Sequence, residues 1–241
     1  MIRTIIWFLY FGLSLVVLLP SVLIGKNYEK RGYEEKLKLL SYKKANKWSK
    51  QLNFIAGGKI EVSGIENIPK DDSFLIVSNH QSNFDIPILL GTVEYPLAFI
   101  AKIETKKIPV VSTWMRFMKC LFIDRENFRQ SVKVINEGAK LLASGYNYVI
   151  FPEGTRSRDG SLGDFKPGSI KMAMKAKKSI IPVSINGSID MMKKGQMRII
   201  PSRVVVTIHK PVTPDDESFN DSSVLIEKVK DIIDVDMQKE H

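Results

Sequence analysis

Twenty consecutive residues without a charge, residues 5–24 (IIWFLYFGLSLVVLLPSVLI), constrain this chain more than any other feature. As a helix rising about 1.5 Å per residue, such a run is long enough to cross a hydrocarbon core. Arg3 could serve as the basic end of a secretory leader. The residues that follow (SVLIGKNYEK) offer no small-x-small cleavage site, so the run is expected to stay as an uncleaved membrane anchor.

Charge distribution supports the same expectation. The chain carries a formal net charge of +10, which draws it toward nucleic acid or anionic lipid. Between Lys26 and Lys50 stand nine Lys or Arg (26, 30, 31, 36, 38, 43, 44, 47 and 50) against three acids (29, 34 and 35). A net six of the ten charges therefore sit directly after the apolar run, as in a segment held at an anionic leaflet. A nucleic-acid binder would spread basic and aromatic residues over its folded core, so nucleic acid is not an expected partner.

Residues 33–55 have helical periodicity. Tyr33, Leu37, Leu40, Trp48, Leu52 and Ile55 fall on one side and Lys36, Lys43, Lys47 and Lys50 on the other, with Lys44 inside the stripe. Part of this stripe is expected to meet lipid or to pack back on the anchor. Only eight residues separate Ile24 from Tyr33, and Pro20-Ser21 interrupt the last turn of the run. The two helices are therefore expected to form a hairpin-like module sunk mainly in one leaflet at the cytoplasmic face of the cell membrane, a simple span being the alternative. The single cysteine, Cys120, excludes an intrachain disulfide and agrees with a cytosol-facing protein.

After Gly57-Gly58 short apolar strands alternate with helices. Strands are predicted at 59–63, 74–78, 97–100, 121–123, 148–151, 180–185 and 204–209, and helices at 84–90, 107–117, 126–143, 168–176 and 224–237. The fold class is α/β, with a mixed, mainly parallel central sheet flanked by helices and preceded by the N-terminal two-helix membrane-anchoring module. The division falls between residues 1–56, the anchoring helices, and 57–241, the α/β domain. Asp215 and Asp216 precede the last helix as N-terminal acids should.

Two strand ends carry chemistry. Ser78-Asn79-His80-Gln81-Ser82-Asn83-Phe84-Asp85 follows the apolar strand Phe74-Leu75-Ile76-Val77. If Ser82 or Asn83 caps a helix starting near Phe84, Asp85 lies in its first turn and the chain can fold back to bring its carboxylate to the imidazole. A carboxylate there fixes the histidine tautomer, and His80 can deprotonate a hydroxyl that the substrate itself brings, with no serine nucleophile needed. Taken alone, such a pair reads equally as a strand-end histidine and a helix N-terminal acid.

A second cluster, Phe151-Pro152-Glu153-Gly154-Thr155-Arg156-Ser157-Arg158, follows the apolar Val149-Ile150-Phe151. Gly154 allows close backbone approach, and Thr155, Arg156, Ser157 and Arg158 are donors suited to a phosphate, arginine in a bidentate manner. Glu153 can either accept from a glycerol hydroxyl or hold Arg156. No ligand cluster calls for a metal.

Together these clusters resemble the glycerolipid acyltransferase family, and within it the bacterial 1-acyl-sn-glycerol-3-phosphate (lysophosphatidic acid) acyltransferases, over four ordered blocks from about Ser78 to Ile185. The first block is similar to the family's H-x-x-x-x-D. The stretch from Ala101-Lys102 to Phe122-Ile123-Asp124-Arg125 is similar to the second, in which the resemblance gives Lys102 and Arg125 to substrate binding. Phe151 to Ser157 is similar to the third, the glycerophosphate element, and Ile181-Pro182-Val183-Ser184-Ile185 to the fourth. Ile103-Glu104-Thr105, Ser112 and Lys119-Cys120 depart from the usual second block.

The resemblance implies an enzyme of phospholipid biosynthesis. It would use an acyl thioester, of acyl carrier protein or coenzyme A, as co-substrate without a cofactor, to acylate the sn-2 hydroxyl of lysophosphatidic acid at a membrane phospholipid surface. His80 and Asp85 are the expected catalytic pair, and Lys102, Arg125, Glu153, Gly154, Thr155 and Arg156 the expected substrate-binding residues. Glycerol-3-phosphate or another lysophospholipid as acceptor, or a non-catalytic basic membrane-surface protein, are the alternatives.

Overall fold

In the computed structural model, residues 1–124 and 127–238 are described. The apolar run does not form one helix. α1 (Ile2–Val17) and α2 (Leu19–Lys30) meet at Leu18 and are bent by 43°. Pro20 lies in the first turn of α2, where its missing N–H breaks no helical bond, so the interruption falls at Leu18, ahead of the Pro20-Ser21 pair that signalled it. Among the described residues no single helix is long and apolar enough to cross a membrane; only this bent pair passes together.

α3 (Glu34–Ala56) turns back antiparallel to α1. Trp7 Nε1 donates to the Leu52 carbonyl at 3.0 Å, Tyr10 Oη to Gln51 Oε1 at 2.8 Å and Trp48 Nε1 to Ser14 Oγ at 2.8 Å. Most of the stripe on α3 faces protein: Leu37 and Leu52 are buried and Leu40, Trp48 and Ile55 half-buried, while Tyr33 is exposed, and Asn53 Nδ2 donates to the Pro87 carbonyl on α4 (Asp85–Thr92). Packing back on the anchor is thus seen for Trp48 and Leu52 against α1. The more aliphatic side of α1 (Ile2, Ile5, Ile6, Leu9, Leu13, Val16) is the side left exposed.

Seven strands follow: β1 (Lys59–Ser63), β2 (Leu75–Ser78), β3 (Leu97–Lys102), β4 (Leu121–Ile123), β5 (Asn147–Ile150), β6 (Ile180–Asn186) and β7 (Arg203–Ile208). They form one sheet in the order β1-β7-β6-β2-β5-β3-β4. β6, β2, β5, β3 and β4 run parallel, while β7 pairs antiparallel to β6 and carries β1 parallel to itself. β2 and β5 are buried along their whole length and β6 nearly so, as apolar strands covered on both faces should be. β1, at an edge, is largely exposed and pairs Glu61 with Arg203, a charged edge that discourages further strand addition.

The remaining helices are α5 (Val111–Phe117), α6 (Phe128–Ala143), α7 (Lys171–Ala176), α8 (Ser188–Met191) and α9 (Ser222–Met237). α8 has no counterpart in the sequence reading. The stretch read as a helix from 107 is a 3-10 turn (Ile103–Lys107) followed by α5, and the helix read from 168 likewise begins with a 3-10 turn (Pro167–Ser169). The acids before the last helix divide differently from expectation. Asp216 caps a 3-10 turn (Glu217–Asn220), whereas Asp221 is the N-cap of α9, accepting from Ser223 N at 2.7 Å.

One core runs through the whole assembly. Trp7, Leu52 and Ala56 from the N-terminal helices join the sheet residues in the same buried cluster, and Trp7 packs 5.4 Å from Phe84.

Candidate active site

The carboxyl ends of five parallel strands open on one edge, the place where α/β sheets gather reactive groups. β2 leaves the sheet through Asn79, whose side chain imitates a strand. Its Nδ2 donates to the Ile185 carbonyl and its Oδ1 accepts from Ile185 N, both at 2.8 Å. The chain then turns, and His80 is the next residue.

His80 Nδ1 lies 2.7 Å from Asp85 Oδ2. Asp85 is fully buried, and a buried carboxylate needs donors. Oδ2 also accepts from Gln81 N at 2.7 Å and Ser82 N at 2.9 Å, and Oδ1 accepts from the Ser188 hydroxyl. Capping by Ser82 or Asn83 is thereby corrected. α4 starts at Asp85 itself with no side-chain cap on its N-cap Phe84, and Ser82 Oγ instead donates to the Met192 carbonyl at 2.8 Å. The fold-back uses Asp85 to bind the two N–H groups that precede it.

With Nδ1–H directed at the carboxylate, Nε2 keeps its lone pair and is the imidazole's basic atom. The ring is stacked on Phe151 at 4.1 Å between centroids and 15° between planes, so its edge is presented while its face is held. The His80 side chain is 15% exposed.

The second polar cluster is tied to the first by backbone bonds. Glu153 Oε1 accepts from His80 N at 2.8 Å and its Oε2 from Gly163 N at 3.2 Å, while Ser157 N donates to the His80 carbonyl at 2.7 Å. Neither role expected for Glu153 is visible in these bonds: its carboxylate clamps the histidine's backbone. Burial pushes the Glu153 carboxyl above its ordinary range, partly countered by the N–H donors of His80 and Gly163. Ser157 Oγ serves the turn, bonding Asp159 and accepting from Gly160 N at 2.9 Å.

Gly154 sits at φ +72°, and a Cβ there would lie 3.3 Å from Lys166 Nζ, the end of a flexible cationic side chain. Thr155 is exposed and Arg156 partly so, both on the same loop. Lys102 ends β3, one strand beyond β5, and is paired at 2.7 Å with Glu104, each side chain more than half exposed. Arg125 lies outside the described residues.

The structure thus joins His80, Asp85, Glu153 and the Gly154–Arg156 loop directly and leaves Lys102 at the flank. It also adds groups that the sequence reading missed. Ser188 begins α8, and Gly187 before it adopts φ +85° with a virtual Cβ 2.4 Å from the Arg203 carbonyl, so only glycine fits that turn. A Gly-Ser pair one residue past the fourth block's strand was the available signal. Lys194, on the following loop, donates to Thr155 Oγ1 at 2.9 Å and to the Arg156 carbonyl at 2.8 Å. Beside the site an apolar cavity of about 460 Å3, lined by Trp7, Phe11, Trp48, Phe84, Trp114 and Met192 among others, runs between the N-terminal helices and the α/β unit.

A His-Asp pair, a donor-rich loop joined to it and an adjacent apolar cavity thus lie together at the strand ends. Residues 59–186 match the acyltransferase family, and the chain belongs to it. The protein is an acyltransferase.

It is 34% identical over 238 residues to a probable 1-acyl-sn-glycerol-3-phosphate acyltransferase of Mycoplasma genitalium, covering 94% of this chain and 87% of that one. It is 39% identical over 132 residues to the 1-acyl-sn-glycerol-3-phosphate acyltransferase of Borreliella burgdorferi, covering 55% of this chain and 53% of that one. The crystal structure of the 1-acyl-sn-glycerophosphate (LPA) acyltransferase PlsC from Thermotoga maritima superposes with a TM-score of 0.86 at 32% identity, covering 99% of this chain and 94% of that one.

Proposed function

We propose that the protein transfers a fatty acyl group from an acyl thioester to the sn-2 hydroxyl of 1-acyl-sn-glycerol-3-phosphate, forming phosphatidic acid. The observation that carries this reading is the His80–Asp85 pair, in which a buried carboxylate 2.7 Å from Nδ1 leaves Nε2 to act as the base. Relatives named for that reaction support the choice of acceptor.

In this mechanism Nε2 takes the proton of the acceptor hydroxyl as its oxygen attacks the thioester carbonyl. Asp85 stabilises the imidazolium. Collapse of the tetrahedral intermediate breaks the carbon–sulfur bond, and the proton on Nε2 passes to the departing thiolate of acyl carrier protein or coenzyme A. Arg156, with the Gly154–Thr155 backbone and hydroxyl, holds the phosphate, and Arg125 and Lys102 complete the anion-binding edge. The apolar cavity houses a fatty chain, a role suited to its aromatic and methionine lining.

Access to the lipid follows from how the N-terminal helices are tied. Arg3 Nη1 donates to the Ile55 carbonyl at 2.9 Å and Thr4 Oγ1 accepts from Ile199 N at 3.1 Å, while at the far end Glu29 pairs with Arg116 at 3.3 Å. Both ends of the bent pair rest on the same α/β unit, and α1 lies along the lysine-rich α3. Crossing a bilayer would carry those lysines into hydrocarbon, which favours insertion of the exposed aliphatic side of α1 and α2 into one leaflet, at the cytoplasmic face.

Purified protein offered lysophosphatidic acid, other lysophospholipids and glycerol-3-phosphate, each with an acyl thioester, tests the reading through thiol release. Turnover is expected to be fastest with lysophosphatidic acid; preference for a choline lysophospholipid or for glycerol-3-phosphate would replace the proposed acceptor.

A further inference from the structure

Lys194 lies outside all four blocks that identify the family, on the loop after α8, yet its ammonium is planted on the phosphate-binding loop. An ammonium carries three donors. Two are assigned, to Thr155 Oγ1 at 2.9 Å and the Arg156 carbonyl at 2.8 Å. Lys194 is partly buried, and among the described residues no carboxylate stands within ion-pair distance of it. Both assigned partners are neutral oxygens, so the ammonium keeps its full positive charge beside the loop and has one N–H left for a further acceptor.

The bond to Thr155 also sets a direction. Thr155 Oγ1 accepts from the lysine, so its own O–H proton is free to be donated elsewhere. Lys166 Nζ stands on the same loop, against the face of Gly154. The Gly154–Arg156 loop therefore offers the Thr155 hydroxyl proton with two ammonium groups beside it, and Arg156 lies partly exposed on the same loop. A phosphate monoester, doubly charged near neutral pH, is the ligand chemistry that such a set of donors and cations suits.

We infer that Lys194 binds and positions the phosphate monoester of the acyl acceptor, holding the Thr155–Arg156 backbone with two N–H groups and giving the third to a phosphate oxygen. The inference rests on lysophosphatidic acid being the acceptor and extends the site beyond the blocks to the loop after α8. The same α8 segment supplies Ser188 to Asp85, so one short piece of chain braces both the base and the phosphate loop.

The test compares Lys194→Met and Lys194→Arg with the wild type, using lysophosphatidic acid and 1-monoacylglycerol, which has the same free hydroxyl and no phosphate, as acceptors with one acyl thioester. Loss of a charge-assisted bond predicts a rise of roughly 10-fold or more in KM for lysophosphatidic acid in Lys194→Met. The residual rate on monoacylglycerol should change little, and Lys194→Arg should recover much of the loss. A Lys194→Met variant equally impaired on both acceptors, or with an unchanged KM for lysophosphatidic acid, overturns the inference.

A measurement on wild-type protein avoids dependence on the variant's folding. Acetylation of Lys194 by acetic anhydride, followed by mass spectrometry, should be slowed by lysophosphatidic acid and not by monoacylglycerol; equal rates with both also overturn it. Wild-type protein inactive on lysophosphatidic acid but active on another acceptor removes the acceptor assignment first, and is told apart because no variant is needed to see it.

Discussion

The hydroxyl of Ser188 donates to Asp85 Oδ1 while Oδ2 of the same carboxylate faces His80, so the orientation of the base depends on a residue 103 positions away in the chain. Ser188 is fully buried and held by the Gly187 turn. It touches no substrate, and its effect should run through Asp85.

Ser188→Ala is therefore expected to lower kcat by about 10-fold or more, the worth of a hydrogen bond to a charged group, with little change in either KM. Thiol-release kinetics on folded protein check this. An unchanged kcat would show that the backbone N–H groups of Gln81 and Ser82 suffice to hold the carboxylate.

His80→Ala should abolish turnover with membrane association and the unfolding midpoint retained, because in the proposed mechanism the ring acts in the chemical step while the proposed anchoring lies in α1 and α2. Asp85→Asn should cost about a thousandfold or more, since an amide favours the wrong imidazole tautomer. A loss of only about twofold in Asp85→Asn would reduce the aspartate to a brace for the Gln81 and Ser82 backbone.

Glu153 makes a pH-dependent contribution whose sign follows from its burial. Its carboxyl is raised above the unfolded value because desolvation outweighs the two N–H donors. The fold therefore favours the protonated form: the resulting stability is fully present below the unfolded pKa and is lost as pH rises through the higher folded value. Glu153→Gln keeps the neutral form at all pH. Thermal melts from about pH 4 to 7 should show a gap, variant minus wild type, that grows more positive with pH through the range just above ordinary carboxylates. A constant gap would mean that the N–H bonds of His80 and Gly163 offset the burial.

Thr4, in the first turn of α1 and off its aliphatic side, reports topology. In a Thr4→Cys protein with Cys120→Ser, an impermeant thiol reagent should label from the cytoplasmic face of vesicles and not from the outer face. Labelling confined to the outer face would establish a span and defeat one-leaflet insertion.

Much of the architecture was legible because it is written in short-range periodicity. All seven strands lie within two residues of where short strand patterns stand between turn residues, and α3 follows the 33–55 stripe. α8 escaped because a single turn of helix has no period to detect. The break at Leu18 was displaced from Pro20 because proline is tolerated in a helix's first turn and acts on the residues before it. His80 and Asp85 could be paired since the four residues between them suffice to close the contact, whereas Ser188 and Lys194 could not be.

The sequence by itself determined the local elements, the apolar N-terminal segment with its basic successor, and the ordered motifs that place the chain in its family. Tertiary structure alone decided the rest. The order of strands sets β6 beside β2 and thereby delivers Ser188 to Asp85, and the return of α3 hides most of its apolar stripe and turns the aliphatic side of α1 outward. It also ties the Glu153 carboxylate to the His80 backbone. The division has a physical cause: hydrogen bonding within a segment depends on the spacing of neighbouring residues, while a bond across a hundred residues depends on which strands share an edge, and that is settled only when the whole sheet has closed its core.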